Sequence, residues 1–157
     1  MKNDDAKLSN QDKRAIKKLQ DELALYDMNI EDYPEDANPY YMKAGALVKL
    51  AKYAENSTTY LTQALENYNK AIELEPENPL YLVDRGKLYM EANEPSLALA
   101  DITEVKKLGE TKDIVGIYVK NTLNDIEQEL NHLNINSTEY EGNSKENLIK
   151  TLGSGED

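Results

Sequence analysis

Apolar residues recur along this chain at steps of three and four. Ile16, Leu19, Leu23, Tyr26, Ile30 and Tyr33 keep that rhythm, which places all six on one face of a helix. Ser9 stands where an N-cap is expected, and the helix should run toward Pro34. The segment "YPEDANP" then interrupts the pattern, because both prolines disfavour a helical residue before them. A second helix is expected over about 40–55. After "ENST", Ser57 or Thr58 should cap a third that ends near Glu75. "EPENP" breaks the chain again, a fourth helix follows over about 80–92, and "ANEPS" turns the chain back. Pro95 suits the first turn of a fifth helix, where its missing N–H costs nothing, and Gly109 is a natural C-terminal stop. A sixth helix should cover about 111–133, with Val119, Leu123, Ile126, Leu130 and Leu133 as its apolar stripe. The expectation is all-α: about six helices and no strand. Residues 1–8 and the polar segment 134–157 are expected to be largely disordered, apart from the short stretch "ENLIKTL".

Two of the expected helix pairs share a pattern. Gly86 is followed by Ala98, Ile102, Val105 and Glu110 at steps of 12, 4, 3 and 5. Gly45 is followed by Ala64, Tyr68, Ala71 and Pro76 at steps of 19, 4, 3 and 5. Only the first step differs, by about two helical turns, which would lengthen a hairpin without rotating its buried face. A glycine inside a helix costs roughly 1 kcal/mol relative to alanine. Two such glycines therefore call for a packing reason, and close crossings of Gly45 with Ala64 and of Gly86 with Ala98 would supply it.

The spacing resembles the tetratricopeptide repeat (TPR) family, a helix–turn–helix unit of about 34 residues. The residues carrying the resemblance are Tyr41, Ala44, Gly45, Val48, Ala64, Tyr68, Ala71 and Pro76, then Leu82, Gly86, Tyr89, Ala98, Ile102 and Val105. Departures are visible: the first repeat is too long, Glu110 replaces the closing proline, and Arg85 stands where an apolar residue is usual. The resemblance implies one domain, 9–133. Residues 9–33 form an N-terminal capping helix, 38–76 and 79–110 the two repeats, and 111–133 a C-terminal cap or the opening of a third repeat. It also implies a right-handed superhelical array whose concave face binds a protein or peptide ligand. That groove would be lined by Met42, Ala46, Lys49, Leu50, Leu80, Val83, Lys87, Met90 and Glu91. The family's carboxylate clamp is missing, since Met42, Ala46 and Val83 occupy its places. The expected role is an adaptor or small chaperone. A different occupant of the groove would be the chain's own "KENLIKTL", 145–152.

Composition narrows the alternatives. Eleven tyrosines with no Phe or Trp must supply all large aromatic packing, and the absence of cysteine excludes disulfides and thiolate chemistry. The net charge of −12 argues against nucleic acid and anionic membranes as partners. No apolar run is long enough for membrane insertion, and "MKNDDAKLSN" lacks a signal-peptide core, so a cytoplasmic location is expected. The sequons at Asn56 and Asn136 are then idle. His132 reads as a surface histidine. "EDYPED" and "ELEPEN" lack calcium-hand spacing, and no phosphate loop is present. No catalytic, metal or cofactor site is expected. The competing reading is a homodimer through the sixth-helix stripe.

Tyr68 stands at an expected core position of the first repeat. Tyr68→Ala should cost roughly 3–5 kcal/mol. Thermal denaturation checks this, and a nearly unchanged melting temperature would refute the repeat register.

Overall fold

A computed structural model of the chain describes residues 8–109 and 114–133. Among them are six helices: α1 (Asn10–Asp32), α2 (Ala37–Ala51), α3 (Ser57–Leu74), α4 (Pro79–Glu91), α5 (Pro95–Leu108) and α6 (Ile114–His132). No described residue is in a strand. Residues 110–113, the expected start of the sixth helix, lie outside the described residues, as do 1–7 and the segment 145–152.

Local chemistry accounts for the helix ends. Ser9 and Asp12 form a reciprocal capping box at the start of α1. Asp36 and Asn78 cap α2 and α4 by accepting from the backbone N–H groups of Asn38 and Leu80. Helix α2 thus starts three residues before the expected Tyr40. Pro39 sits inside its first turn, where no donor is needed, and Asn38 is helical despite preceding a proline. The helix also stops at Ala51 rather than Glu55, as Lys52, Tyr53 and Ala54 tighten into i→i+3 turns. Asn56, not Ser57 or Thr58, is the residue before α3, and its side chain makes no capping bond. Asn93 and Gly109 adopt positive φ, 58° and 84°, and these reversals end α4 and α5.

The helices pack as two hairpins, α2 on α3 and α4 on α5, with α3 also against α4. Helix α1 lies on α2, and α6 lies on α4 and α5. Small residues mark the close approaches. Ala44, Ala64, Ala71 and Ala98 have no exposed surface. A Cβ placed on Gly86 would lie 3.5 Å from the Cβ of Asp101 and 3.7 Å from the carbonyl oxygen of Ala98, so Gly86 does sit where α4 meets α5. Gly45 does not mark a crossing with Ala64. A Cβ there would meet only the Tyr68 hydroxyl, 4.0 Å away, and Ala44 takes the buried place beside it.

The main core joins Leu47, Tyr68, Leu82, Val83, Tyr89, Ile102 and Val105 with Val119, Ile126 and Leu130 of α6. The stripe of α6 is therefore spent inside the chain, apart from half-buried Leu123 and exposed Leu133. A dimer seam there is corrected on that ground: its apolar atoms already face α4 and α5. The stripe of α1 packs on α2 through Leu19, with Ile16, Leu23 and Tyr26 beside Ala46 and Leu50. Tyr33, expected on the same stripe, is exposed because it stands at the C-cap, beyond the last helical turn.

Arg85 has a structural reason that its departure from an apolar residue conceals. Its guanidinium donates to both oxygens of Asp101 on α5, at 2.9 and 2.5 Å, and to the side-chain oxygen of Asn69 on α3 at 2.7 Å. It also lies 5.6 Å from the Tyr89 ring centre. Burial works against its charge, and the hydrogen bonds and charge of Asp101 more than offset that, holding its pKa above the ordinary value. One cation thus bolts three helices together.

The pair is nearly enclosed, with side-chain exposures of 12% and 5%. Asp101→Ala should therefore destabilise by roughly 3–5 kcal/mol, because it strands a buried cation. Replacing both residues, Arg85→Met with Asp101→Leu, should recover most of that loss. Urea midpoints of the three proteins check this, and a double variant no better than the single would refute it.

Candidate functional site

A groove of about 480 Å³ opens between α2 and α4. Met42, Gly45 and Lys49 of α2, with Lys52 at its C-cap, form one wall, and Asp84, Lys87, Leu88 and Glu91 of α4 form the other. Glu22 and Tyr26 reach it from α1, Tyr118 from α6, and Tyr68 of α3 lies at its floor. The spacing of Asp84, Lys87, Leu88 and Glu91 is that of a single helical face.

Tyrosines hold the walls apart and in register. The Tyr41 ring stacks on Tyr81 at 4.8 Å and leans on Tyr68 at 6.0 Å. Its hydroxyl donates to one oxygen of Asp84 at 2.8 Å, while the Tyr118 hydroxyl donates to the other at 2.6 Å. One carboxylate on α4 therefore ties α2 and α6 to it. Burial, then the charge of Asp84 and the bond to it, push the Tyr41 hydroxyl far above the ordinary 10. Burial also raises Tyr68, with Asp84 second. Tyr118 is pushed up to about 12 by burial and its bond to Asp84. All three are neutral donors at any working pH.

The expected lining is only partly the observed one. Met42, Ala46, Lys49, Lys87 and Glu91 border the groove. Leu50, Leu80, Val83 and Met90 do not. Val83 is 0% exposed within the core, and Leu50 is buried under α1. Leu80 and Met90 pack against the core clusters. The physical reason is a rotation: the face of α4 that carries Leu80, Val83 and Met90 is apolar because it is covered, which leaves the polar face one residue further round to the groove. Among the residues expected to pack the repeats, Tyr41, Gly45, Val48 and Tyr68 border the groove as well, while Pro76 is exposed between α3 and α4. Asp84 and Tyr118 escaped notice altogether. Asp84 carries one faint signal, an acid three residues before Lys87 and seven before Glu91, at the spacing of one helical face. Nothing in the sequence brings Tyr118 to it. His132 is exposed in the last turn of α6. Among the described residues no group of His, Asp and Glu is placed to hold a metal ion.

Residues 60–93 match the family model described as TPR repeat. No curated protein matches the chain. The TPR match begins inside α3 and ends just beyond α4, so it straddles the two hairpins described above, joining the second helix of one to the first helix of the next. Such phasing is natural in a periodic stack, where the contact of α3 with α4 is as much a unit as either hairpin. TPR repeats mediate protein–protein interaction, and the groove borders the matched segment through Tyr68, Asp84, Lys87, Leu88 and Glu91. No helix among the described residues is long and apolar enough to cross a membrane.

The raised tyrosines set an alkaline limit. A hydroxyl whose folded pKa exceeds its unfolded value contributes stability below pH about 10 and loses it as pH climbs through the folded value. A tyrosinate absorbance titration should show a delayed wave near pH 12 from Tyr118 and Tyr81, accompanied by loss of helicity. Asp84→Asn should bring the Tyr118 part of the wave earlier. A single wave near the ordinary tyrosine value, with helicity unchanged, would contradict the hydroxyl cluster around Asp84.

Proposed function

We propose that this protein is a non-enzymatic, cytoplasmic interaction module, an adaptor or small chaperone that holds a segment of a partner protein in the groove between α2 and α4. The observation carrying this reading is Gly45. A glycine in mid-helix normally lowers stability, and here it relieves no close contact, since nothing but the Tyr68 hydroxyl lies within 4.0 Å of where its Cβ would be. What it does is keep the groove open at its centre. The surrounding side chains suit a polypeptide: tyrosine rings and hydroxyls, the exposed thioether of Met42, and charged groups on both walls. Met adapts to varied ligand shapes. A groove of this kind binds by shape and edge chemistry rather than by catalysis.

Gly45→Phe tests the reading, because it should fill the groove while leaving the helix intact. The variant is expected to melt at or above the wild-type temperature. In affinity capture from lysate of the native cell it should lose a protein that the wild type retains. An unchanged capture profile in a fully folded variant would remove the groove from the reading.

A further inference from the structure

The distribution of ion pairs points to the chemistry of the ligand. In a chain with 30 acidic and 18 basic residues, most lysines should find a carboxylate nearby. Lys17, Lys18, Lys43, Lys70, Lys106 and Lys107 do, pairing with Asp21, Glu22, Asp27, Glu73, Glu127 and Glu104. Lys13, Lys49, Lys52 and Lys87 do not: among the described residues no carboxylate pairs with any of them. The last three border the same groove, and Lys13 lies apart from it near the start of α1.

The acids that share the groove are largely engaged. Both oxygens of Asp84 accept tyrosine hydroxyls, and Glu22 pairs with Lys18. The hydroxyls are neutral and Asp84 keeps its charge, so Asp84 and Glu91 stand against three ammonium groups. The Tyr68 hydroxyl at the floor has no hydrogen-bond acceptor among the described residues, although its ring is buried. Three unpaired cations and one spare donor converge where the protein is otherwise strongly negative, and complementary charge favours an anionic occupant.

We infer that the groove takes an acidic polypeptide segment, whose side-chain carboxylates meet Lys49, Lys52 and Lys87 while its apolar residues lie over Gly45. This rests on the groove being the binding site. It also explains how a protein of net charge −12 can hold an acidic partner without repelling it: attraction is confined within about a Debye length, on the order of 8–10 Å, of the three lysines.

Two fluorescein-labelled synthetic peptides would test it by anisotropy with the full chain. They share leucine and tyrosine positions, one bearing glutamates between them and the other lysines. The glutamate peptide should bind, more weakly as salt rises, and the lysine peptide should not. The triple variant Lys49→Glu, Lys52→Glu, Lys87→Glu should weaken the glutamate peptide about tenfold or more. Gly45→Phe should abolish its binding. No binding of the glutamate peptide, equal binding of both peptides, or indifference to the triple reversal would overturn the inference. Glutamate-peptide binding that survives Gly45→Phe would overturn it too, by placing the peptide elsewhere, such as on the basic start of α1. If sedimentation shows the wild type self-associating, and the reversal abolishes that, the occupant is a second copy of this chain and the partner reading falls. Failure of the groove reading itself looks different: lysate capture would then be indifferent to Gly45→Phe.

Discussion

How near two helices can come governs everything else in this protein. Where α2 meets α3 and α4 meets α5, the contact is made by residues with one side-chain carbon or none. Ala44, Ala64, Ala71 and Ala98 have no exposed surface, and Gly86 lies against Asp101 and Ala98. Such close approach maximises dispersion contact between backbones and leaves little room for large side chains inside the hairpins. Bulk is displaced to the seams between hairpins, where it falls to tyrosine, the only large aromatic residue in the chain. A tyrosine buried at a seam brings a hydroxyl that must find a partner. Asp84 meets that need for half-buried Tyr41 and accepts from the more exposed Tyr118 as well. The tight hairpins thus lead, through tyrosine, to the carboxylate that sets the groove.

The same logic explains Arg85. Its cation lies on the seam where α3, α4 and α5 come together, and it is tolerable there because Asp101 and Asn69 satisfy three of its donors. Replacing an apolar contact by a bidentate pair trades strength for direction. The arrangement fixes the rotation of α4 about its axis, and that rotation decides which of its residues look into the groove.

The helices themselves were legible in the sequence, because their signals are local: three-and-four spacing, Ser9 before the first turn of α1, Pro at the breaks and at the start of α5, and Gly109 at the end of α5. The TPR resemblance rested on the spacing of small residues, and part of it falls in the matched segment 60–93. The groove was less legible. Val83 and Leu50 looked like groove residues because an exposed apolar patch and a covered one read alike in a single helix, and only the neighbours α6 and α1 distinguish them. Gly45 and Gly86 look equivalent in sequence, yet Gly86 lies against α5 and α6 while Gly45 faces open space beside the Tyr68 hydroxyl. The bonds from Tyr41 and Tyr118 to Asp84 span separations of 43 and 34 residues, beyond the reach of any local pattern.

The tyrosine lining also bears on the solvent of the groove. Phenol hydroxyls, carboxylates and lysine ammonium groups all hold water, so the groove offers hydrated polar edges beside the apolar surface of Met42, Val48 and Leu88. A ligand held there would have to replace that water with bonds of similar quality, besides covering the apolar part. Association would then be marked by a modest heat-capacity change for the area covered. Selectivity would come from which polar atoms of the ligand can replace particular waters, so a chain of the wrong polarity is refused even when it fits.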